Sequence, residues 1–176
     1  GVFMKRKILV TGCPRTGTQF INQLFQNVGL ASTHERVYHY GFDPDNPQDV
    51  EAISKLWEKQ DVECSWMALP FLDTIKENVI LVHQVRDPLK SLRCLLHTKV
   101  LESEDRAITF AQKHLPESKN GTVLERSVKF LLLWNGAVEM IGRKMGLEYM
   151  RWKVETLCPT QLHQLLLKAG HFLPLR

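Results

Sequence analysis

Five short runs of β-branched and apolar residues alternate along this chain with longer stretches whose apolar residues recur at helical spacing. The first run, Lys7–Thr11, leads directly into a Gly/Pro loop and predicts a buried strand. Thr18–Val28 predicts a helix with Phe20, Ile21, Leu24, Phe25 and Val28 on its apolar side and Gly29 as its C-terminal cap. Leu30–Thr33 is a weak strand. Val37–Asp45, with Gly41, Pro44 and several aromatics, predicts an ordered surface loop. Asn46-Pro47 has the form of an N-cap followed by proline in the first helical position, opening a helix to about Lys59.

The second half repeats the alternation. Val62–Trp66 predicts a strand and Leu69–Lys76 a helix. Val79–Val85 is the clearest buried strand in the chain. Helices follow at Pro88–Leu96, with Leu89, Leu92 and Leu96 on one face, and at Glu104–His114. Asn120-Gly121-Thr122 predicts a turn before the longest helix, Leu124–Met145, which Gly146 closes. Phe130, Leu133, Trp134 and Ala137 on that helix have the spacing of a core stripe, and Trp66 and Trp152 also suit core or cavity walls. Leu147–Trp152 is a last strand and Pro159–Ala169 a last helix, closed by Gly170. Strands alternating with helices imply an α/β domain whose parallel sheet is covered by helices on both faces.

Composition narrows the class. A chain of 176 residues with 44% hydrophobic and 24% charged residues is expected to form one globular domain. A net charge of +4 suits a small anionic ligand and does not suggest nucleic acid. The four cysteines, at 13, 64, 94 and 158, show neither C-x-x-C pairs nor histidines at zinc-finger distance. They predict reduced thiols, a cytoplasmic setting and no zinc site. No stretch reads as a secretory leader or a membrane span.

The chemistry begins where the first strand ends. Thr11-Gly12-Cys13-Pro14-Arg15-Thr16-Gly17-Thr18 joins a strand to a helix through a tight loop. Backbone amides of such a loop, with the partial positive charge of the helix N-terminus, cradle a phosphate. Gly12 and Gly17 have Walker A spacing, but Thr18 stands where a nucleotide triphosphatase needs lysine. Arg15 is the cation within the loop. Pro-Arg-Thr-Gly-Thr at this place resembles the 5′-phosphosulfate-binding loop of sulfotransferases, in the arginine variant of the tyrosylprotein and related bacterial branches.

A second motif follows the clearest strand. Arg86-Asp87-Pro88 puts an N-cap and a first-turn proline after Val79–Val85, leaving Arg86 at the strand's C-terminal end. Open α/β sheets bind ligands along that edge, and a guanidinium there forks onto phosphate. Arg-Asp-Pro so placed resembles the 3′-phosphate-binding segment of the same family. Eight residues on, the family has serine and this chain has Cys94, a weaker donor, with Ser91 one turn earlier as its possible stand-in. His83 and Gln84 occupy the strand end where a magnesium-binding carboxylate would stand.

The resemblance extends from Lys7 to about Gly170. It implies a three-layer P-loop NTPase-like fold and transfer of a sulfuryl group from 3′-phosphoadenosine-5′-phosphosulfate to a hydroxyl acceptor, with no metal required. Pro14, Arg15, Thr16, Gly17, Thr18, Gln19, Arg86 and Cys94 would then bind the donor. Arg15 would also act in catalysis. After the second strand, Thr33-His34-Glu35-Arg36 offers two bases, and the resemblance favours Glu35 over His34. Glu155 matches a glutamate of the family's late strand. The expected partners are a nucleotide donor and a hydroxyl-bearing acceptor. A P-loop small-molecule kinase and a non-catalytic nucleotide-binding module are the competing expectations. The strands Lys7–Thr11 and Val79–Val85 should be neighbours in the sheet, or one strand apart, so that both motifs bracket one site.

Overall fold

The structure, a computed structural model, describes residues 5–103 and 105–171. Its organising element is β1 (Lys7–Thr11), whose Ile8, Leu9 and Val10 are wholly buried. A strand enclosed on both faces must be apolar on both, which is why this run does not alternate with polar residues. The chain continues through α1 (Thr18–Asn27), β2 (Ser32–His34), α2 (Pro47–Glu58) and β3 (Val62–Cys64). A 3-10 segment, Trp66–Thr74, leads to β4 (Val79–Val85). Then come α3 (Pro88–His97), α4 (Arg106–His114), α5 (Val123–Lys144), β5 (Glu148–Lys153) and α6 (Pro159–Lys168). Glu104, the expected start of the helix that holds His114, lies outside the described residues. Among those residues no helix is long and apolar enough to cross a membrane.

The five strands form one parallel sheet in the order β2-β3-β1-β4-β5. β1 and β4 are direct neighbours, with Ile8 opposite Ile80 and Thr11 opposite His83. The chain leaves β1 towards one edge of the sheet and leaves β4 towards the other. Their C-terminal ends therefore flank a switch point, where open α/β sheets bind ligands.

Alternate side chains of the central strands enter two separate cores. Ile8, Val10, Ile80 and Val82 pack with Ile21 and Phe25 of α1 and Leu165 and Leu166 of α6. Leu9 and Leu81 face the opposite way, onto Trp57 of α2, Leu95 of α3 and Phe130, Trp134 and Val138 of α5. Two helical layers on one sheet make the three-layer α/β arrangement that the alternation implied.

Several expectations shift for local reasons. β2 begins at Ser32 rather than Leu30, because the Leu30 amide donates to Phe25 O (3.1 Å) in closing α1, with Gly29 at φ 89°. β3 ends at Cys64 because Ser65 caps the next element, its Oγ accepting from the Met67 amide at 3.1 Å. That element is a 3-10 helix over Trp66–Thr74, not an α-helix over Leu69–Lys76, and it contains Pro70, which lacks an N–H to continue an α-helical ladder. Val37 and Tyr38 belong to the core, not to a surface loop. Phe20 and Leu89 are exposed, 56% and 67%, although both fit an apolar stripe. Ile21 and Leu95 carry the contacts instead, since each helix's tilt on the sheet selects which flank of the stripe is covered.

Where the loop after β1 passes β4, the backbones nearly touch. A Cβ built on Gly12 would lie 2.2 Å from the carbonyl oxygen of Gln84. Gly12→Ala should force the two strand ends apart and cost about 2–3 kcal/mol. In a domain of this size that lowers the melting temperature by about 5–10 °C, readable by calorimetry. An unchanged melting temperature would show that the strand spacing is not fixed at this point.

Candidate functional site

The loop between β1 and α1 is built from its carbonyls inward. The indole N–H of Trp134 donates to Gly12 O (3.1 Å) and to Trp66 O (3.2 Å). Thr16 Oγ1 donates to Cys13 O at 2.9 Å. Gln84 Nε2 donates to Thr16 O at 2.6 Å, while Gln84 Oε1 accepts from Trp152 Nε1 at 3.0 Å. With these carbonyls tied into the protein, the amides are left for an outside acceptor. Among the described residues, nothing accepts from the amides of Arg15, Gly17, Thr18 or Gln19. Arg15 (φ 64°) and Gly17 (φ 88°) are both left-handed, the kind of backbone that turns successive amides into an anion-binding concavity. For Arg15 this conformation costs about 1–3 kcal/mol, a cost that is typical of functional loops.

Arg86 reaches the loop from β4. Its Nη1 donates to Arg15 O at 3.4 Å, and its Nε lies 4.0 Å from Glu155 Oε1. Glu155 also accepts from the Asp87 amide at 2.8 Å, the main reason its carboxyl sits below the usual carboxylate range. Asp87 caps α3 through Lys90 N (3.0 Å). Glu155, in the 3-10 turn Val154–Thr156 that follows β5, thus fixes the segment that presents Arg86.

β2 delivers the third component. His34 Nε2 lies 3.1 Å from Thr18 Oγ1 and 3.5 Å from Glu35 Oε1. Glu35 is left-handed, φ 54°, and its amide donates to Cys64 O at 3.0 Å. Both candidate bases therefore share one corner beside the N-terminus of α1.

These pieces enclose a cavity of about 730 Å³. Pro14, Arg15, Gly17, Thr18 and Gln19 line it from the loop and α1. His34 and Glu35 line it from β2, and Arg86 and Cys94 from the far side. Of the residues expected to bind the donor or act in catalysis, Thr16 alone is absent from the wall: it is 2% exposed and its hydroxyl is turned onto Cys13 O. Ser91 is also buried away from the cavity, so Cys94 and not Ser91 holds the position on α3 that faces it. Trp134 is wholly buried core, and Trp66 is core that shows one edge to the cavity.

Three polar residues that the sequence reading did not assign to the site support it. His83 is held by Tyr149 OH (2.7 Å) and Asn135 Oδ1 (2.9 Å), and burial pushes its pKa down. Gln84 bridges loop and sheet as described. Glu63 of β3 is wholly buried. Its Oε2 accepts from the amides of Val37 (2.6 Å) and Tyr38 (2.8 Å), and its Oε1 from Thr33 Oγ1 (2.8 Å). It therefore clasps both ends of the segment that carries His34 and Glu35. The signal was present: Glu63, His83 and Gln84 are polar residues inside largely apolar runs read as strands. Among the described residues no three His, Cys, Asp or Glu side chains gather as a metal site, and all four cysteines are unpaired.

Comparison with known proteins gives the fold independent support. No protein family and no curated protein matches the chain. Among solved structures it is similar to the YorR protein of Bacillus subtilis, crystallised in complex with phosphorylated GDP. The likeness has a TM-score of 0.53 at 12% identity and covers 93% of this chain and 96% of that one. It supports a P-loop-like α/β fold for this chain.

Glu63 makes the site's frame sensitive to pH. Burial pushes its pKa up to about 7, against the opposing effect of the bonds from Tyr38, Thr33 and Val37. The folded state therefore holds this proton more tightly than the unfolded state does. Its stabilising effect is complete below the unfolded pKa and is lost as pH rises through about 7. Glu63→Gln mimics the protonated form. In thermal melts from about pH 5 to pH 8, wild type should lose stability relative to the variant. Parallel curves would show that Glu63 ionises as an ordinary carboxyl.

Proposed function

We propose that this protein is a sulfotransferase, taking a sulfuryl group from 3′-phosphoadenosine-5′-phosphosulfate and giving it to a hydroxyl acceptor. One observation carries the reading: the amide-rich loop, Arg86 and the His34–Glu35 corner all open on the same cavity. The P-loop-like fold, and the nucleotide named with the solved structure it resembles, support a nucleotide ligand at this loop. Two local features favour sulfuryl over phosphoryl transfer. Thr18, bonded to His34, stands in place of the Walker lysine. Gln84, bonded to Thr16 O and Trp152, stands where a magnesium-binding carboxylate is needed. A sulfuryl group carries less charge than a phosphoryl group, so amides and guanidinium groups suffice to stabilise its transfer.

In this mechanism the free amides of Gly17, Thr18 and Gln19 hold the donor's 5′ end at the α1 N-terminus. Arg86, steadied by Glu155 and Arg15 O, binds the 3′-phosphate, with the Cys94 thiol as a weak neighbouring donor. The acceptor oxygen attacks sulfur in line. A new O–S bond forms, the bond from sulfur to the 5′-phosphate oxygen breaks, and the electron pair leaves with the bisphosphate. Arg15 stabilises that leaving oxygen in the transition state, and Glu35 takes the acceptor's proton.

Binding and chemistry can be tested separately. The 3′,5′-bisphosphate at about a hundred times its Kd should stabilise the protein by roughly 2.7 kcal/mol, and AMP at the same concentration by far less. Arg86→Ala should remove about 1.5–3 kcal/mol of bisphosphate binding and leave AMP binding nearly unchanged. Equal thermal shifts for the two nucleotides in wild type would count against the 3′-phosphate role of Arg86.

For the chemical step, Arg15→Ala should lower kcat by about 10²–10³ with a modest loss of donor affinity. Glu35→Gln should lower kcat by about 10²–10⁴ with donor affinity intact. Radiolabelled sulfuryl transfer across acceptor classes supplies the assay. A near-wild-type Glu35→Gln beside an inactive His34→Ala would move the base to the histidine.

A further inference from the structure

A second cavity borders both candidate bases. It has a volume of about 740 Å³, lies across the His34–Glu35 corner and shares Gln19, His34 and Glu35 with the first. A molecule seated there would border the same Gln19, His34 and Glu35 that line the first cavity. In-line transfer needs acceptor oxygen and leaving group on opposite sides of sulfur, and two cavities that meet at Glu35 can seat the two molecules separately.

The walls of this second cavity are chemically distinctive. Gln19, Gln26, Thr33, Arg36 and His39 line it with polar side chains. Thr33 Oγ1, Gln26 Nε2 and His39 Nδ1 are bonded within the protein, which leaves Gln19, Arg36 and the remaining polar atoms of the others for a ligand. Met67 also borders it but is only 1% exposed and belongs to the core. The main carbon surface is the ring of Tyr40, which is 46% exposed. An alkyl chain placed here would strip water from polar groups and return no hydrogen bonds, and a flat phenol only those of its single hydroxyl, at about 1–3 kcal/mol for each group left unsatisfied. Trp66, Val100, Ala107 and Ile108, apolar residues that share a cavity with Glu35, line the first cavity, and in the second its polar companions include Gln19, Asn22, Thr33 and His34. A polyhydroxylated ring supplies donors and acceptors on every edge and has one face to lay against Tyr40.

Charge continues the line away from the base. Arg36 also borders a third cavity, of about 530 Å³, whose wall includes Lys55 and Lys59 of α2. Among the described residues no carboxylate lies within 4.0 Å of Arg36, Lys55 or Lys59. Glu58 is the acidic residue on that wall. All three cations are exposed, so they form an open basic track that starts at the reacting corner.

We propose that the acceptor is an anionic carbohydrate chain, its reacting hydroxyl at Glu35 in the second cavity and its carboxylate or sulfate groups along Arg36, Lys55 and Lys59. The inference rests on the sulfuryl-transfer reading for its chemistry; the binding site itself is independent of that reading. In the reaction the sugar oxygen bonds to sulfur, its proton passes to the Glu35 carboxylate, and the 3′,5′-bisphosphate departs with the electron pair.

The test compares four probes: an unsulfated chondroitin hexasaccharide, cellohexaose as its neutral counterpart, p-nitrophenol, and a tyrosine peptide flanked by aspartates. At low salt the uronate-bearing chain should bind about tenfold more tightly than cellohexaose, the effect of three screened charge contacts. That advantage should disappear in the triple variant Arg36→Ala/Lys55→Ala/Lys59→Ala. Tyr40→Ala should weaken both saccharides. The bisphosphate thermal shift should be unchanged in either variant, which also shows that they remain folded. Radiolabel should enter the uronate chain in preference to the phenol and the peptide. Equal binding of the two saccharides, an advantage that survives the triple variant, or label entering the phenol or peptide instead overturns the proposal. If the bisphosphate fails to stabilise wild type while the uronate chain still binds along Arg36, Lys55 and Lys59, the sulfuryl-transfer reading falls and the carbohydrate site stands.

Discussion

Two buried side chains, Trp134 and Gln84, hold the carbonyl oxygens of the loop after β1, and the rest of the site depends on that restraint. A peptide loop exposes oxygens as readily as amides, and an oxygen facing the cavity would repel an anion. The Trp134 indole on Gly12 O and the Gln84 amide on Thr16 O settle the orientation. Each restraint is itself anchored: Phe130 stacks on Trp134 at 5.1 Å, and Trp152 donates to Gln84 Oε1. Elements far apart in sequence, α5, β4 and β5, thereby aim one short loop.

A second restraint uses a buried carboxyl group. Glu63 is wholly buried, so ionising it is costly, and the bonds it accepts from two amides and one hydroxyl offset part of that cost. Those bonds close the segment from Thr33 to Tyr38 into a fixed bend with Glu35 at its tip. Tyr38 adds its own anchors, with its hydroxyl accepting from Trp57 Nε1 (2.8 Å) and its carbonyl from Ser65 Oγ (2.8 Å). Arg15 and Glu35 are two of the three non-glycine residues with positive φ among the described residues. Backbone strain thus coincides with the two side chains proposed to act on the leaving oxygen and on the acceptor proton. Such strain persists only where the surroundings over-determine the conformation, as Gln84, Arg86 and Glu63 do here.

The sequence by itself determined the alternation of strands and helices, and hence a parallel sheet with two covered faces. A buried parallel strand needs an apolar run, and a helix start needs a cap, and both are local demands written into Val79–Val85, Asp87-Pro88 and Asn46-Pro47. The Gly12–Thr18 loop and Arg86 were legible for the same reason: each belongs to a short motif at a strand end, and the fold places strand ends of parallel neighbours on one side. The tertiary structure alone decided which flank of each amphipathic helix is covered, leaving Phe20 and Leu89 outside. It also decided that Thr16 turns inward, that Cys94 rather than Ser91 faces the cavity, and that Glu63 clasps the bend carrying Glu35. Those outcomes depend on helix tilt and on hydrogen bonds between residues far apart in sequence. Spacing along a chain carries a period and a terminus; it carries no record of which distant partner will satisfy a buried polar group.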